Sequence, residues 1–348
     1  VSERSLEFYR SIAEGGAGLI ELGNVLIQPQ FLPAPSLPGL YDYMFIPGMR
    51  RLVDTLHVYG ARVAAQLFCP EYHYRELKWI RDRQGFETAN RQRVEDFNNF
   101  CNRISVEQIE DIRELFVDAA VRAMRAGFDI IQIHGDRLIG MFTSPLLNKR
   151  TDRYGGSAEN RFRFPLEIIR KIREKIEDVP IEFKLVIIRE NPPMGKGGPT
   201  IAEAKLLAPK LAEAGVDTFH VALANHHHFA YTIPVGGRFE FGCFADLAHE
   251  IKKVVSQPVT AVGRIVDPQF AERLIQEEKA DLIGLGRALI CDPAWPNKVS
   301  QGRLDEIRTC IMCNQGCIDH LLKAKSIGCT CNPTARKEMP PEIKKAPK

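Results

Sequence analysis

Seven short runs of β-branched and apolar residues, at 17–22, 62–67, 130–134, 181–188, 218–221, 259–262 and 282–285, alternate with stretches whose apolar residues recur every three to four positions. That alternation leaves few folds open, because strand, helix, strand with short corners builds a parallel sheet covered by helices. The corners themselves repeat. Ala126-Gly127-Phe128-Asp129-Ile130 is echoed by Ala214-Gly215-Val216-Asp217-Thr218 and shortened to Ala280-Asp281-Leu282, with Gly15-Gly16-Ala17-Gly18 in the same slot earlier. The clearest helix signal is the capping box Ser105-Val106-Glu107-Gln108, followed by an apolar stripe from Ile109 to Ala123 and a stop at Gly127. An open dinucleotide-binding sheet would begin with G-x-G-x-x-G after its first strand, and no such motif stands there. The pattern therefore points to an α/β fold, a TIM (β/α)8 barrel over residues 1–300. It is one strand short: the chain starts in a helical pattern at 5–13, so the first strand is expected to be absent or to lie upstream of this fragment.

Charge narrows the class further. The 47 basic residues nearly balance 44 acidic ones, a formal charge of +3; nucleic-acid and membrane-surface proteins carry a one-sided basic excess. No apolar run approaches the roughly 18 residues that span a bilayer, and Val1-Ser2-Glu3-Arg4 does not read as a signal peptide. Of nine cysteines, five fall between Cys310 and Cys331. Such clustering reads as metal binding in a reducing, cytoplasmic compartment. Cys310, Cys313 and Cys317 sit on one tight turn and Cys329 follows after eleven residues; four thiolates so placed can wrap one [4Fe–4S] cluster. Structural zinc more often pairs two C-x-x-C knuckles at wider separation, but spacing alone leaves zinc and unliganded thiols open, and Cys331 is an alternative fourth ligand. Cys69, Cys101, Cys243 and Cys291 are scattered and read as structural, although Cys69 at a strand end could face a site. The cluster-binding segment is placed at 301–336 and a Pro/Lys-rich linker at 337–348.

With these residues in view, the chain resembles the flavin domain of the iron–sulfur branch of the old yellow enzyme family. That branch includes 2,4-dienoyl-CoA reductase, trimethylamine dehydrogenase and enoate reductases. The likeness covers nearly the whole chain. It is carried by Asn148-Lys-Arg-Thr-Asp-Arg-Tyr-Gly-Gly-Ser157 with Glu159-Asn-Arg161, by Ala261-Val-Gly-Arg264, by Gly284-Leu-Gly-Arg-Ala-Leu289, and by the cysteine segment closing in Asn332-Pro333. The resemblance implies FMN at the C-terminal mouth of the barrel. Gly263-Arg264 and Gly286-Arg287 match its phosphate-binding positions, where glycine lets the backbone approach and arginine neutralises charge. Gln66 matches the glutamine on the flavin pyrimidine edge, Gly23 a small residue under the flavin, and Lys184 the cation beside flavin N1, with Arg189 competing for that place. FAD and NAD(P)H are implied for a downstream domain to which the linker would lead.

The resemblance also implies a substrate-oxygen site at His134 and, three residues on, Arg137. Here the chain departs from the family pattern. The usual tyrosine two residues later is absent, Ile139 or Asp136 filling the slot according to the alignment. Tyr231 and the run His226-His227-His228 are the available proton donors; a solvated loop is the chief alternative reading of the histidines and a fortuitous metal site a minor one, since adjacent residues rarely point the same way. Residues 70–103, charged and aromatic, read as a long loop that covers substrate or forms an interface. The expected activity is reduction of an activated C=C bond (enoate, enoyl thioester or enone) with electrons from NAD(P)H. The expected partner is a small unsaturated molecule, with no nucleic acid or membrane, and homo-oligomerisation is left open. An amine dehydrogenase would want an aromatic bowl around a cation, for which Trp79 and Trp295 are the only tryptophans. A zinc-stabilised barrel serving as an interaction module is the non-catalytic alternative.

Overall fold

The computed structural model describes residues 1–31, 37–97, 99–190, 193–224, 229–323 and 325–335. All seven expected runs are strands, with only their ends moved: β1 (Leu19–Leu26), β2 (Arg62–Phe68), β3 (Ile130–His134), β4 (Ile181–Ile187), β5 (Thr218–Leu223), β6 (Val259–Ala261) and β7 (Leu282–Ile283). They are parallel and hydrogen-bonded in chain order. Neighbouring strands lie about 4.8 Å apart, so β1 and β5 would stand about 19 Å apart on a flat sheet. Instead Glu21 of β1 and His220 of β5 are hydrogen-bonded at 2.6 Å. The sheet is curled around a lumen.

The repeated corner has a structural purpose. Asp129 donates its amide to the Val63 carbonyl at 2.9 Å and accepts the Val63 amide on its carboxylate at 2.8 Å. Asp217 does the same with Ile181, and Asp281 with Val259. Each aspartate thus satisfies both backbone groups at the start of the neighbouring strand, which would otherwise be lost at a sheet end. The glycine before it takes φ of 87° at Gly127 and 115° at Gly215, a left-handed turn that other residues enter only at a cost. The helix Val106–Arg125 carries the expected capping box, with Ser105 Oγ accepting from Gln108 N at 3.2 Å and Gln108 Oε1 from Ser105 N at 3.0 Å.

The strands sort their side chains by alternation. Val63, Leu67, Ile131, Phe183 and Phe219 face outward and pack with helix residues such as Ile109 and Phe116 in the main core. Burying each such side chain contributes about 1.5–3 kcal/mol. The other face, pointing inward, carries Gln66, Gln132, Glu182 and His220. Residues 70–103 depart from the expected loop and hold helices at Tyr74–Gln84, Phe86–Asp96 and Phe100–Arg103. Leu77 and Ala89, fully buried beside Phe31 and Tyr72, supply a small core that the surrounding charges hid. Arg103 ties these helices together, bonding Glu76 at 2.7 Å and Asp96 at 2.7 Å. Among the described residues no helix is long and apolar enough to cross a membrane.

Candidate active site and metal centre

The lumen is built in levels. Gln66, Gln132 and Glu182 are register partners on β2, β3 and β4, and two residues further along His134, Lys184 and His220 form the next level on β3, β4 and β5. Residues two apart share a face, so His134 and Lys184 stand over the lower level on the lumen side. The register separates the two competing cations. Arg189 lies beyond β4, bonded to the Cys243 carbonyl at 2.7 Å and to Asp246 at 2.5 Å.

His134 accepts the Asp136 amide on Nδ1 at 3.2 Å, which leaves its proton on Nε2. Burial, reinforced by Lys184 and Arg137, pushes the ring well below its ordinary 6.5, so it is a neutral N–H donor. Arg137, at φ 55°, donates to Glu71 at 3.2 Å and sits 5.7 Å from the Phe97 ring. Burial pushes the Glu71 carboxyl up, although Arg137 opposes it. Tyr231 lies elsewhere: its hydroxyl accepts from Arg238 at 3.1 Å, and with Arg189 and Phe241 it lines an outer cleft. His134 does not line that cleft, so the two residues are not brought together there. His226, His227 and His228 lie outside the described residues.

The positions matched to FMN have local features of their own. A Cβ on Gly23 would lie 2.4 Å from Gln66 Oε1, so a side chain there would displace the glutamine. Gly263 has φ 109° and a Cβ would meet the Phe244 ring at 2.6 Å, whereas a Cβ on Gly286 would meet nothing. Arg264 is held at φ 55°, stacked 5.0 Å from Phe241, with Nε on the Met312 sulfur at 2.8 Å. Its buried Nη1 has no hydrogen-bond partner among the described residues. A partly buried guanidinium with one buried, unmet donor fits an anionic group such as phosphate. Arg287 is engaged differently, donating to the Pro234 carbonyl at 2.8 Å and to Asn314 Oδ1 at 2.7 Å.

That contact leads into a sulfur pocket lined by Arg287, Asn314, Cys310, Cys313, Cys317, Cys329 and Cys331. Backbone amides serve four of these sulfurs. Met312 N lies 3.4 Å from Cys310 Sγ and Cys331 N lies 3.4 Å from Cys329 Sγ; amides of Gln315 and Gly316 serve Cys313, and that of Ile318 serves Cys317. Burial opposes ionisation of Cys313, but the Thr330 hydroxyl and these amides outweigh it and lower its pKa. Burial wins at Cys310 and Cys317, raising both. Four amide-served sulfurs converging on one hollow suit a bound metal centre, whose ligands are thiolates. The structure also corrects the reading of Cys291 as scattered. Its sulfur lies within 4.8 Å of those of Cys329 and Cys331, and burial followed by these neighbours raises its pKa.

Sequence reasoning missed Cys291 and the lumen residues Glu21, Gln132, Glu182 and His220. The signal for Gln132 and Glu182 was present: each alternates with apolar residues in Ile-Ile-Gln-Ile-His and Ile-Glu-Phe-Lys. A polar face on a strand reads by default as solvated, and only the curl turns it inward.

Known proteins supply an independent comparison. The chain is 40% identical over 333 residues to a bilirubin reductase of Mediterraneibacter gnavus, covering 95% of this chain and 52% of that protein. It is 41% identical over 355 residues to an NADH oxidase of Thermoanaerobacter brockii, covering 100% of this chain and 53% of that protein. A solved 2-naphthoyl-CoA reductase complex superposes with a TM-score of 0.82 at 25% identity, covering 98% of this chain and 53% of that one. The chain thus spans about half the length of these relatives. The profile described as NADH:flavin oxidoreductase / NADH oxidase matches residues 1–306, and the chain belongs to that family of old yellow enzyme-like flavoproteins.

Proposed function

We propose that this chain is the FMN- and [4Fe–4S]-binding part of an enzyme that reduces a C=C bond activated by a neighbouring carbonyl, with electrons from NAD(P)H. The observation that carries the reading is His134, a neutral imidazole with its Nε2 proton free of the Asp136 contact, on the lumen level of Lys184. A neutral N–H donor can hold a carbonyl oxygen and strengthen its bond as that oxygen gains charge. Lys184 adds a fixed cation nearby. Arg137 shares its guanidinium with Glu71, which leaves His134 as the principal oxygen holder.

Gly23, Gln66, Lys184, Gly263 and Arg264 are the residues that would hold FMN, and Cys310, Cys313, Cys317 and Cys329 those that would hold the cluster. When bound, FMN supplies hydride chemistry and the cluster carries single electrons between flavins. Arg287, between the FMN-phosphate loop and the sulfurs, offsets thiolate charge. Neither tryptophan favours the amine reading. Trp79 is half exposed under Arg83 at 4.7 Å, and Trp295 is buried with its N–H on the Val266 carbonyl.

The test is anaerobic turnover by the full-length protein with NADH or NADPH, offered enoates, enoyl thioesters, cyclic enones and tertiary amines. Consumption of an unsaturated substrate is expected, with His134→Ala lowering turnover about a hundredfold while bound FMN is unchanged. Amine oxidation without C=C reduction, or colourless protein containing zinc and no iron, would overturn the reading.

A further inference from the structure

Three side chains inside the barrel form a directed line. Gln66, Gln132 and Glu182 are register partners on adjacent strands, and none is more than 5% exposed. Gln66 Nε2 donates to Gln132 Oε1, and Gln132 Nε2 donates to Glu182 Oε2 at 2.5 Å. The Gln132 amide also serves the carboxylate of Glu21. An amide NH2 has two protons. Here both go to carboxyl groups, so the Gln132 carbonyl is left facing Gln66. Gln66 must then donate towards Gln132, and its own Oε1 lies on the Gly23 side.

Two facing amides alone have no preferred direction, since flipping both preserves their bond. A carboxyl at one end removes that symmetry. We propose that Gln132 and Glu182 are positioning residues that fix Gln66 with its carbonyl presented to the N3–H of bound FMN. The proposal rests on the reading that FMN lies at Gln66.

The orientation holds in both charge states of Glu182. Among the described residues its Oε1 has no hydrogen-bond partner, which makes it the oxygen to take the proton and leaves Oε2 to accept from Gln132 throughout. Burial and the Glu21 carboxylate from β1 push Glu182 up to about 8. Burial also works against Glu21, but His220 of β5 and Lys184 of β4 outweigh it and keep that carboxylate ionised. With His134 of β3 neutral, these are the titratable groups facing the pair. Lys184 beside both carboxyls, and the 2.6 Å bond between His220 and Glu21, meet the charge that would otherwise invite a metal ion.

The experiment is nitrogen NMR of the holoprotein reconstituted with FMN labelled with 15N at N3. An accepted N3–H should give a resonance downfield of free FMN in the wild type and in Glu182→Gln, whose amide can donate to Glu21 and still accept from Gln132. Gln132→Leu and Glu182→Leu, checked for folding by circular dichroism, should each lose at least about half of that shift, as expected when a hydrogen bond loses its orientation. An unchanged shift in either folded leucine variant overturns the proposal alone. A second measurement needs no variant: the wild-type shift should stay flat from about pH 6 to about pH 9, across the range where Glu182 titrates. A step in that range overturns it. Failure of the wild type to bind FMN would overturn the parent reading together with this one.

Discussion

Arg287 donates to Asn314 Oδ1 at 2.7 Å, joining the corner after the last barrel strand to the loop that carries the cysteines. Burial lowers the pKa of this guanidinium, while the Cys310 and Cys317 sulfurs act in the opposite direction. The charge matched to an FMN phosphate thus lies against the sulfur pocket. Arg287→Lys keeps the charge, but its ammonium rides on a shorter, flexible stem and does not hold a nitrogen where Arg287 Nη1 donates to both Asn314 and Pro234. We expect FMN retention to change little and iron to leave the protein about tenfold faster under chelator, a difference of about 1.4 kcal/mol in barrier. Iron release followed by absorbance checks this.

The amide pattern separates four sulfurs from two. Alanine at Cys310, Cys313, Cys317 or Cys329 should each abolish cluster retention. Cys291→Ala and Cys331→Ala should keep iron and labile sulfide near four of each per chain, the content of one [4Fe–4S] cube. Elemental analysis of anaerobic preparations decides it, and iron loss in Cys331→Ala with retention in Cys329→Ala would exchange their roles.

Arg264 offers a donor with no partner among the described residues. Its replacement by glutamine removes the charge-assisted bonds expected with phosphate, worth about 1.5–3 kcal/mol, so FMN should bind about tenfold to a hundredfold more weakly. Riboflavin, which lacks the phosphate, should bind wild type and variant alike. Equal losses for both ligands would point to a collapsed site.

Two lumen groups give stability a pH window. The folded pKa of Glu182, about 8, lies above the free value of 4.5, so its contribution is present below 4.5 and is lost as pH rises through about 8. His134 is shifted the other way, well below 6.5; its contribution is present above 6.5 and is lost as pH falls through the lowered value. Glu182→Gln should therefore gain Tm relative to wild type on going from about pH 6 to about pH 9, and His134→Gln should gain on the acid side. Thermal melts from about pH 4 to about pH 9 test both signs.

Arg103 holds the helices at 74–103 by binding Glu76 and the almost fully buried Asp96. Arg103→Ala leaves Asp96 with Gln92, a cost of about 3 kcal/mol. Faster hydrogen exchange confined to these helices, with the barrel strands unaffected, is the expected result.

How much the sequence reveals follows from what each pattern encodes. The seven strands and the Ser105 cap rest on local periodicity and local hydrogen bonds, and both stand as read. The quartet from Cys310 to Cys329 rests on spacing along one segment. Cys291 could not be found that way, because its sulfur approaches those of Cys329 and Cys331 from the barrel, far from them in sequence. Gln132 and Glu182 were hidden by the equivalence of lumen and solvent in a period-two pattern. The helices at 74–103 were hidden by composition, since Leu77, Ala89 and Phe100 are few among charges that bind one another.

The walls of this barrel keep their oil on the outside, under the helices, and line the bore with amides, carboxyls and imidazole. The bore also holds hydrocarbon, Phe68, Val186 and Ala222 among it, but its amides, carboxyls and imidazole give water enough partners to replace a departing guest without tearing the shell. Such a vessel can be emptied and refilled, and the chemistry of its lining can drift without unsettling the staves.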